Sequence, residues 1–156
     1  MHPNVERVVA AGAELGVAVR AVEFPEGTRT AEDAARAVGC DLVQIVKSLV
    51  FTLDGELVMA LVAGTNRLEE TRLAEALGGS EVGRADAAAV KAATGYAIGG
   101  VPPFGHADPL RTVVDEDLLA LDEVWAAAGT PHHVFAIAPA DLLRVTGGRA
   151  AALRQA

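Results

Sequence analysis

Two short stretches of this 156-residue chain bring together residue types that can do chemistry. In IVKSLVF, Ile45 to Phe51, Lys47 is one of only two lysines, and regular alternation puts it on one strand face with Ile45, Leu49 and Phe51. Burial disfavours the ammonium form. The side chain must therefore reach water along its aliphatic stem, release its proton, or meet an anionic or carbonyl partner in a cleft. In IGGVPPFGH, Ile98 to His106, the glycines allow a ligand close to the backbone, and the amides of Gly99, Gly100, Val101, Phe104 and Gly105 are donors. Pro102 and Pro103 donate nothing but fix φ in the middle of the loop. Donors held this way suit stabilisation of an oxyanion. The same composition also makes a tight connection between a helix and a strand, and the loop alone does not decide between the two.

Other chemistries lack their residues. The two serines, Ser48 and Ser80, lie outside any G-x-S-x-G elbow. There is no H-E-x-x-H, no paired C-x-x-C and no Walker loop, and Gly95 to Gly100 does not follow a strand and open a helix as a dinucleotide fingerprint requires. His132 and His133 are adjacent, so in a strand they face opposite sides and cannot readily share one ion. Neither a metal nor a cofactor is expected.

The elements that must position these stretches are legible in outline. Val5, Val8, Val9 and Leu15 share a helical face that ends at Gly16, and VAVRAVEF then alternates as a strand. Thr30 with Asp33 resembles a capping box for a helix ending near Gly39. Asp54-Gly55 splits the runs QIVKSLVFTL and ELVMALVA into a β-hairpin. Asn66 with Glu69 starts a helix closed by Gly78-Gly79, and Asp86 starts another closed by Gly95. RTVVD, EVWAAAG and HVFAIA read as short strands, before a helix from Pro139 to Gly147-Gly148. This order favours a mixed α+β domain over a doubly wound nucleotide fold.

Composition bounds the function. The length suits one domain with a core of its own, built from Val, Leu and Ala because the chain has only four Phe, one Trp and one Tyr. Cys40 is the single cysteine, and neither a signal pattern nor a membrane-spanning run is present, so a soluble cytoplasmic protein is expected. Thirteen basic against 21 acidic residues give a net charge of −8, which argues against broad phosphate neutralisation and confines any RNA contact to a local patch. The last fifteen residues, LLRVTGGRAAALRQA, carry Arg144, Arg149 and Arg154 without an acid and read as a solvated tail or a small basic patch.

VKSLVF, the hairpin after it, TGYAIGGVPPFGH, a strand ending in Asp115 and GTPHHVFAIAPADLL together resemble, in order and spacing, the YbaK/EbsC family, relatives of the editing domain inserted in bacterial prolyl-tRNA synthetases. The resemblance runs from about Val17 to Gly148. It implies a single α+β (mixed α/β) domain over residues 1–156, with a largely antiparallel, barrel-like mixed sheet flanked by helices. It also implies a stand-alone deacylase that hydrolyses, in trans, the ester between a wrong amino acid and its tRNA. The family's lysine falls on Lys47, and its G-x-x-x-P loop on Gly99 to Pro103, with Pro102 where a small polar residue is common. Lys47, Gly99, Gly100 and Val101 are thereby the catalytic candidates: the amides face the oxyanion, and Lys47 holds the terminal adenosine phosphate or the carbonyl end. The substrate-binding candidates are Phe24, Pro102, Pro103, Phe104, Gly105, His106, Gly129 and Thr130, His106 either lining the pocket or ending the loop. The implied partner is the acceptor end of an aminoacyl-tRNA, with an aminoacyl-tRNA synthetase as a further one and no membrane. Two other classes fit the residues: a module that binds an amino acid, nucleotide or aminoacyl group without turnover, and a synthetase-interacting protein.

Overall fold

His2 caps the first helix, α1 (Pro3–Glu14), by accepting the Asn4 amide at 3.0 Å, while Pro3 fills a position that has no amide to satisfy. The structure, a computed structural model, describes residues 2–24 and 30–156. The alternating run after α1 becomes a strand only at β1 (Val22–Glu23). Its first part is spent closing the helix, where the Val17 amide donates to Gly12, and Val17 and Val19 then drop into the core outside any sheet. In α2 (Ala31–Val38) the Thr30 hydroxyl accepts the Asp33 amide at 3.1 Å, and Gly39 ends the helix in the left-handed region, as the sequence predicts.

The hairpin forms as its turn residues dictate. Asp54 and Gly55 both take positive φ, 49° and 87°, which matches the twist of paired strands. β2 (Val46–Leu53) and β3 (Glu56–Ala63) pair antiparallel over their full lengths, with Lys47 opposite Val62. Next come α3 (Glu70–Leu77), β4 (Val82–Arg84) and α4 (Ala87–Thr94). Asp86 caps α4 as expected, but the cap of α3 is Glu69 and not Asn66, whose side chain is engaged elsewhere. β5 (Arg111–Asp115), α5 (Glu116–Leu119), β6 (Val124–Ala127), β7 (His133–Ile137), α6 (Pro139–Thr146) and β8 (Arg149–Ala151) complete the described elements.

Two sheets result, ordered β4-β2-β3-β5-β8 and β1-β7-β6. Four ladders are antiparallel, while β5 runs parallel to both β3 and β8. The fold is thus mixed α+β with mostly antiparallel pairing. Neither sheet closes on itself among the described residues; they meet at one isolated bridge, Ile45 with Trp125, so two open sheets stand where a barrel-like sheet was expected. β3 is central and covered on both faces. Met59, Leu61 and Ala63 enter one apolar cluster with Phe104 and Phe135, and Val58, Ala60 and Val62 enter another with Leu73 and Leu153, which explains its unbroken apolar run. The C-terminal residues are not a solvated tail: β8 joins the sheet, Leu153 is fully buried, and Arg154 pairs with Asp117 at 3.2 Å. None of the described helices is long and apolar enough to cross a membrane.

Gly64 sets where β2 begins. A Cβ there would lie 2.3 Å from the carbonyl oxygen of Leu42, in the 3₁₀ turn Leu42–Gln44 that leads into Ile45. Gly64→Ala must push that turn away, and a loss of about 1–3 kcal/mol in urea-unfolding stability is expected.

Candidate functional site

β4 covers only residues 51–53 of β2, so the edge of β2 from Val46 to Val50 is left for other elements to close over. Around it α2, β6, β7 and the loop after α4 form a cleft of about 290 Å³, lined among others by Lys47, Ser48, Ile98, Gly99, Val101 and Trp125. Lys47 is half-buried there, and its Nζ donates to the carbonyl oxygen of Asn66. Of the three fates open to this ammonium, meeting a carbonyl is the one observed. Burial holds its pKa below the usual lysine range; Glu32 and Asp115 pull the other way, and Arg67 adds to the depression.

The glycine-rich loop lines the same cleft as Lys47, through Ile98, Gly99 and Val101. Gly99 adopts φ 93°, and Gly100 lies so close to Thr130 that a Cβ would stand 2.8 Å from the Thr130 Cα. The amides of Gly99 and Val101 have no partner among the described residues, whereas the Gly100 amide donates to the Ala97 carbonyl at 3.0 Å. The expectation of three donors is corrected to two. Gly100 spends its N–H on the turn that shapes the loop.

The remaining predicted residues are not all gathered at this cleft. Pro102, Pro103 and Phe104 are buried beneath the loop, with Phe104 edge-on to Phe135 at 5.7 Å. Pro103, Phe104, Gly105 and His106 border a separate small cleft beside Leu15 and Thr146. The chain turns into the core after Val101, so these residues serve as the loop's foundation rather than as the wall that faces Lys47. His106 Nε2 lies 2.6 Å from the Pro102 carbonyl, a contact that requires the proton on Nε2. Gly129, at φ 105°, packs against Asn4, whose Nδ2 donates to its carbonyl at 3.1 Å. Thr130 Oγ1 accepts the His132 amide at 3.1 Å and bonds His133 Nδ1 at 2.6 Å, a stiff support under Gly100. Phe24 is buried, its amide donating to His132. Thr130 also borders a larger cleft, about 740 Å³, with His2, Arg20, Glu23, His132 and His133; Lys47 and the loop amides do not line it.

Burial pushes the His106 imidazole below its usual pKa, opposed by its bond to Pro102. The folded chain therefore favours neutral His106. The stability this contributes is complete above the unfolded value, near 6.5, and is lost as pH falls through the lower folded value. In urea titrations, the parent is expected to lose more stability between pH 7.5 and pH 5 than His106→Gln does; equal losses would contradict this.

Residues that sequence reasoning did not place at the site include Asn66, Asp115 and Trp125. Asn66 reads as a helix cap, but its Nδ2 donates to both Asp115 and Asp117 at 2.8 Å. Only the parallel pairing of β3 with β5 brings these groups together. Ser48 Oγ is buried at the cleft wall without a hydrogen-bond partner among the described residues.

Comparison with known proteins gives a consistent result. The family model described as an aminoacyl-tRNA editing domain matches residues 25–145. The proline–tRNA ligase of Desulforamulus reducens is 33% identical over 123 residues, covering 76% of this chain but only 21% of the ligase. The uncharacterized protein YwhH of Bacillus subtilis is 30% identical over 120 residues, covering 77% of this chain and 76% of YwhH. A crystal structure of a candidate trans-editing enzyme for prolyl tRNA synthetase superposes with a TM-score of 0.94 at 44% identity, covering 100% of this chain and 99% of that one.

Proposed function

The protein belongs to the aminoacyl-tRNA editing domain family, and from that premise we propose that it is a trans-acting deacylase that hydrolyses the ester of mischarged aminoacyl-tRNA in the Lys47 cleft. The observation that carries this reading is that Lys47 lines one cleft with Gly99 and Val101, whose amides have no partner among the described residues. The candidate trans-editing neighbour supports it at the level of the whole chain.

Water is the nucleophile in this mechanism. Thr30, at the cleft, uses its hydroxyl to cap α2, and among the described residues Ser48 Oγ has no hydrogen-bond partner that could act as its base. The water oxygen bonds to the ester carbonyl carbon, and the displaced carbonyl electron pair forms an oxyanion that takes hydrogen bonds from the Gly99 and Val101 amides. Collapse of the tetrahedral species re-forms the carbonyl and breaks the bond to the ribose oxygen. That oxygen takes up the proton lost by the water, which leaves a free amino acid and an uncharged tRNA. Lys47 holds the terminal adenosine phosphate or the carbonyl end by charge.

The cleft's size and its apolar walls, Ile45, Ile98, Trp125 and Val134 among them, favour a small uncharged acyl group. Arg36, Arg111, Arg144 and Arg154 are all in ion pairs with this chain's own acids, in a protein of net charge −8. The tRNA is accordingly held at its acceptor end, and the salt dependence of binding should correspond to few phosphate contacts. Deacylation assays on a panel of mischarged tRNAs test the reading, beside thermal shifts with amino acids, AMP and a nonhydrolysable aminoacyl-adenosine mimic. Turnover supports the enzyme, whereas binding of the mimic without release of amino acid would make the protein a binding module.

A further inference from the structure

The carbonyl that receives Lys47 is fixed from several sides. Asn66 donates its own amide to Ala63 at 2.9 Å, and its side-chain Nδ2 reaches Asp115 Oδ2 and Asp117 Oδ2, both at 2.8 Å. Asp115 is 1% exposed and also accepts the amides of Ala63 and Asp117, each at 3.1 Å, so it cannot swing away from Asn66 without stranding buried donors. The C-terminal residues close the other side. Arg154 pairs with Asp117 at 3.2 Å, the Gln155 amide donates to Arg67 at 2.9 Å, and the Glu69 amide donates to Leu153 at 2.7 Å. A segment that reads as a tail thus ties down the chain just after Asn66, at Arg67 and Glu69, and holds Asp117, one of the two carboxylates on the Asn66 side chain.

From this arrangement we infer that Asn66 is the positioning residue for Lys47, and that the C-terminal segment Leu153 to Gln155 braces it. The inference rests on the proposed role of Lys47 in deacylation. The Asn66 side chain does not touch the Lys47 cleft. It clamps its own peptide so that the carbonyl stands at one point, and the ammonium is held where the carbonyl stands. Charged groups face Lys47 from three elements: Glu32 on α2, Arg67 after β3 and Asp115 at the end of β5. Releasing the carbonyl lets the ammonium leave this half-buried setting for water.

The chain has only two lysines, so Lys91→Arg leaves Lys47 as the sole lysine resonance and its titration can be followed directly by NMR with labelled lysine side chains. In that background, Asn66→Ala is expected to move the Lys47 titration upward, toward ordinary lysine. It should also lower kcat for deacylation about ten- to a hundredfold with a smaller change in KM. Arg154→Ala, which removes a solvent-exposed pair of little weight in stability, should move the titration the same way by less. An unchanged Lys47 titration in both variants would overturn the inference. If Asn66→Ala fails to fold, as judged by circular dichroism, Arg154→Ala decides alone. Failure of the proposed function reads out separately: Lys47→Ala would then deacylate at the parent's rate, whatever the titrations show about positioning.

Discussion

Gly100→Ala is expected to lower deacylation about a hundred- to a thousandfold, the usual cost of losing an oxyanion donor, while the fold survives. The added Cβ would stand 2.8 Å from the Thr130 Cα and 3.0 Å from its N and C atoms, all backbone, so no side-chain rotation relieves the contact. Thr130 cannot yield easily either, because its hydroxyl is bonded to the His132 amide and to His133 Nδ1. The loop must move instead, and it carries the Gly99 and Val101 amides with it. Gly99→Ala makes a useful contrast. Its Cβ meets nothing closer than the Pro131 Cγ at 3.9 Å, so only the strain at φ 93° disturbs the loop. Single-turnover release of amino acid, with far-ultraviolet circular dichroism as the folding control, separates the two variants. Equal and near-parental rates would show that the loop amides take no part.

Lys47→Met should lower kcat/KM about ten- to a hundredfold, the loss of a charge-assisted hydrogen bond. It keeps an unbranched apolar stem in a cleft wall and removes an ammonium that burial already disfavours. Stability in urea is therefore expected to be equal to or above the parent's. Activity and stability moving in opposite directions is the signature of a functional charge; a joint fall would make Lys47 a structural residue. With Lys47 held below the usual lysine range, activity that needs the ammonium should also decline at a lower alkaline pH than an exposed lysine would give.

Local rules carried the sequence a long way. Thr30, Asp86, Gly39 and Gly95 do as caps what their types predict, and Asp54-Gly55 makes the hairpin that holds Lys47. What was not legible depends on contacts between distant segments. Asn66 satisfies a local capping pattern, yet two carboxylates some fifty residues away take its amide. The proline pair looked like part of a binding loop because its rigidity is visible in sequence, while the burial of Pro102, Pro103 and Phe104 is a tertiary fact. β4 and β8 are three residues each, too short for a period of two to declare itself, and β8 turns an arginine-bearing tail into a sheet edge. The barrel expectation came from the family resemblance, and open sheets joined at Ile45 and Trp125 took its place.

The most direct measurement is the rate at which this protein releases amino acid from a panel of mischarged tRNAs, run in parallel with Lys47→Met and Gly100→Ala. Release well above the spontaneous rate is expected for at least one small, uncharged amino acid, with both substitutions suppressing it and both variants folded. Release at the spontaneous rate across the whole panel, or release that both variants match, would contradict it.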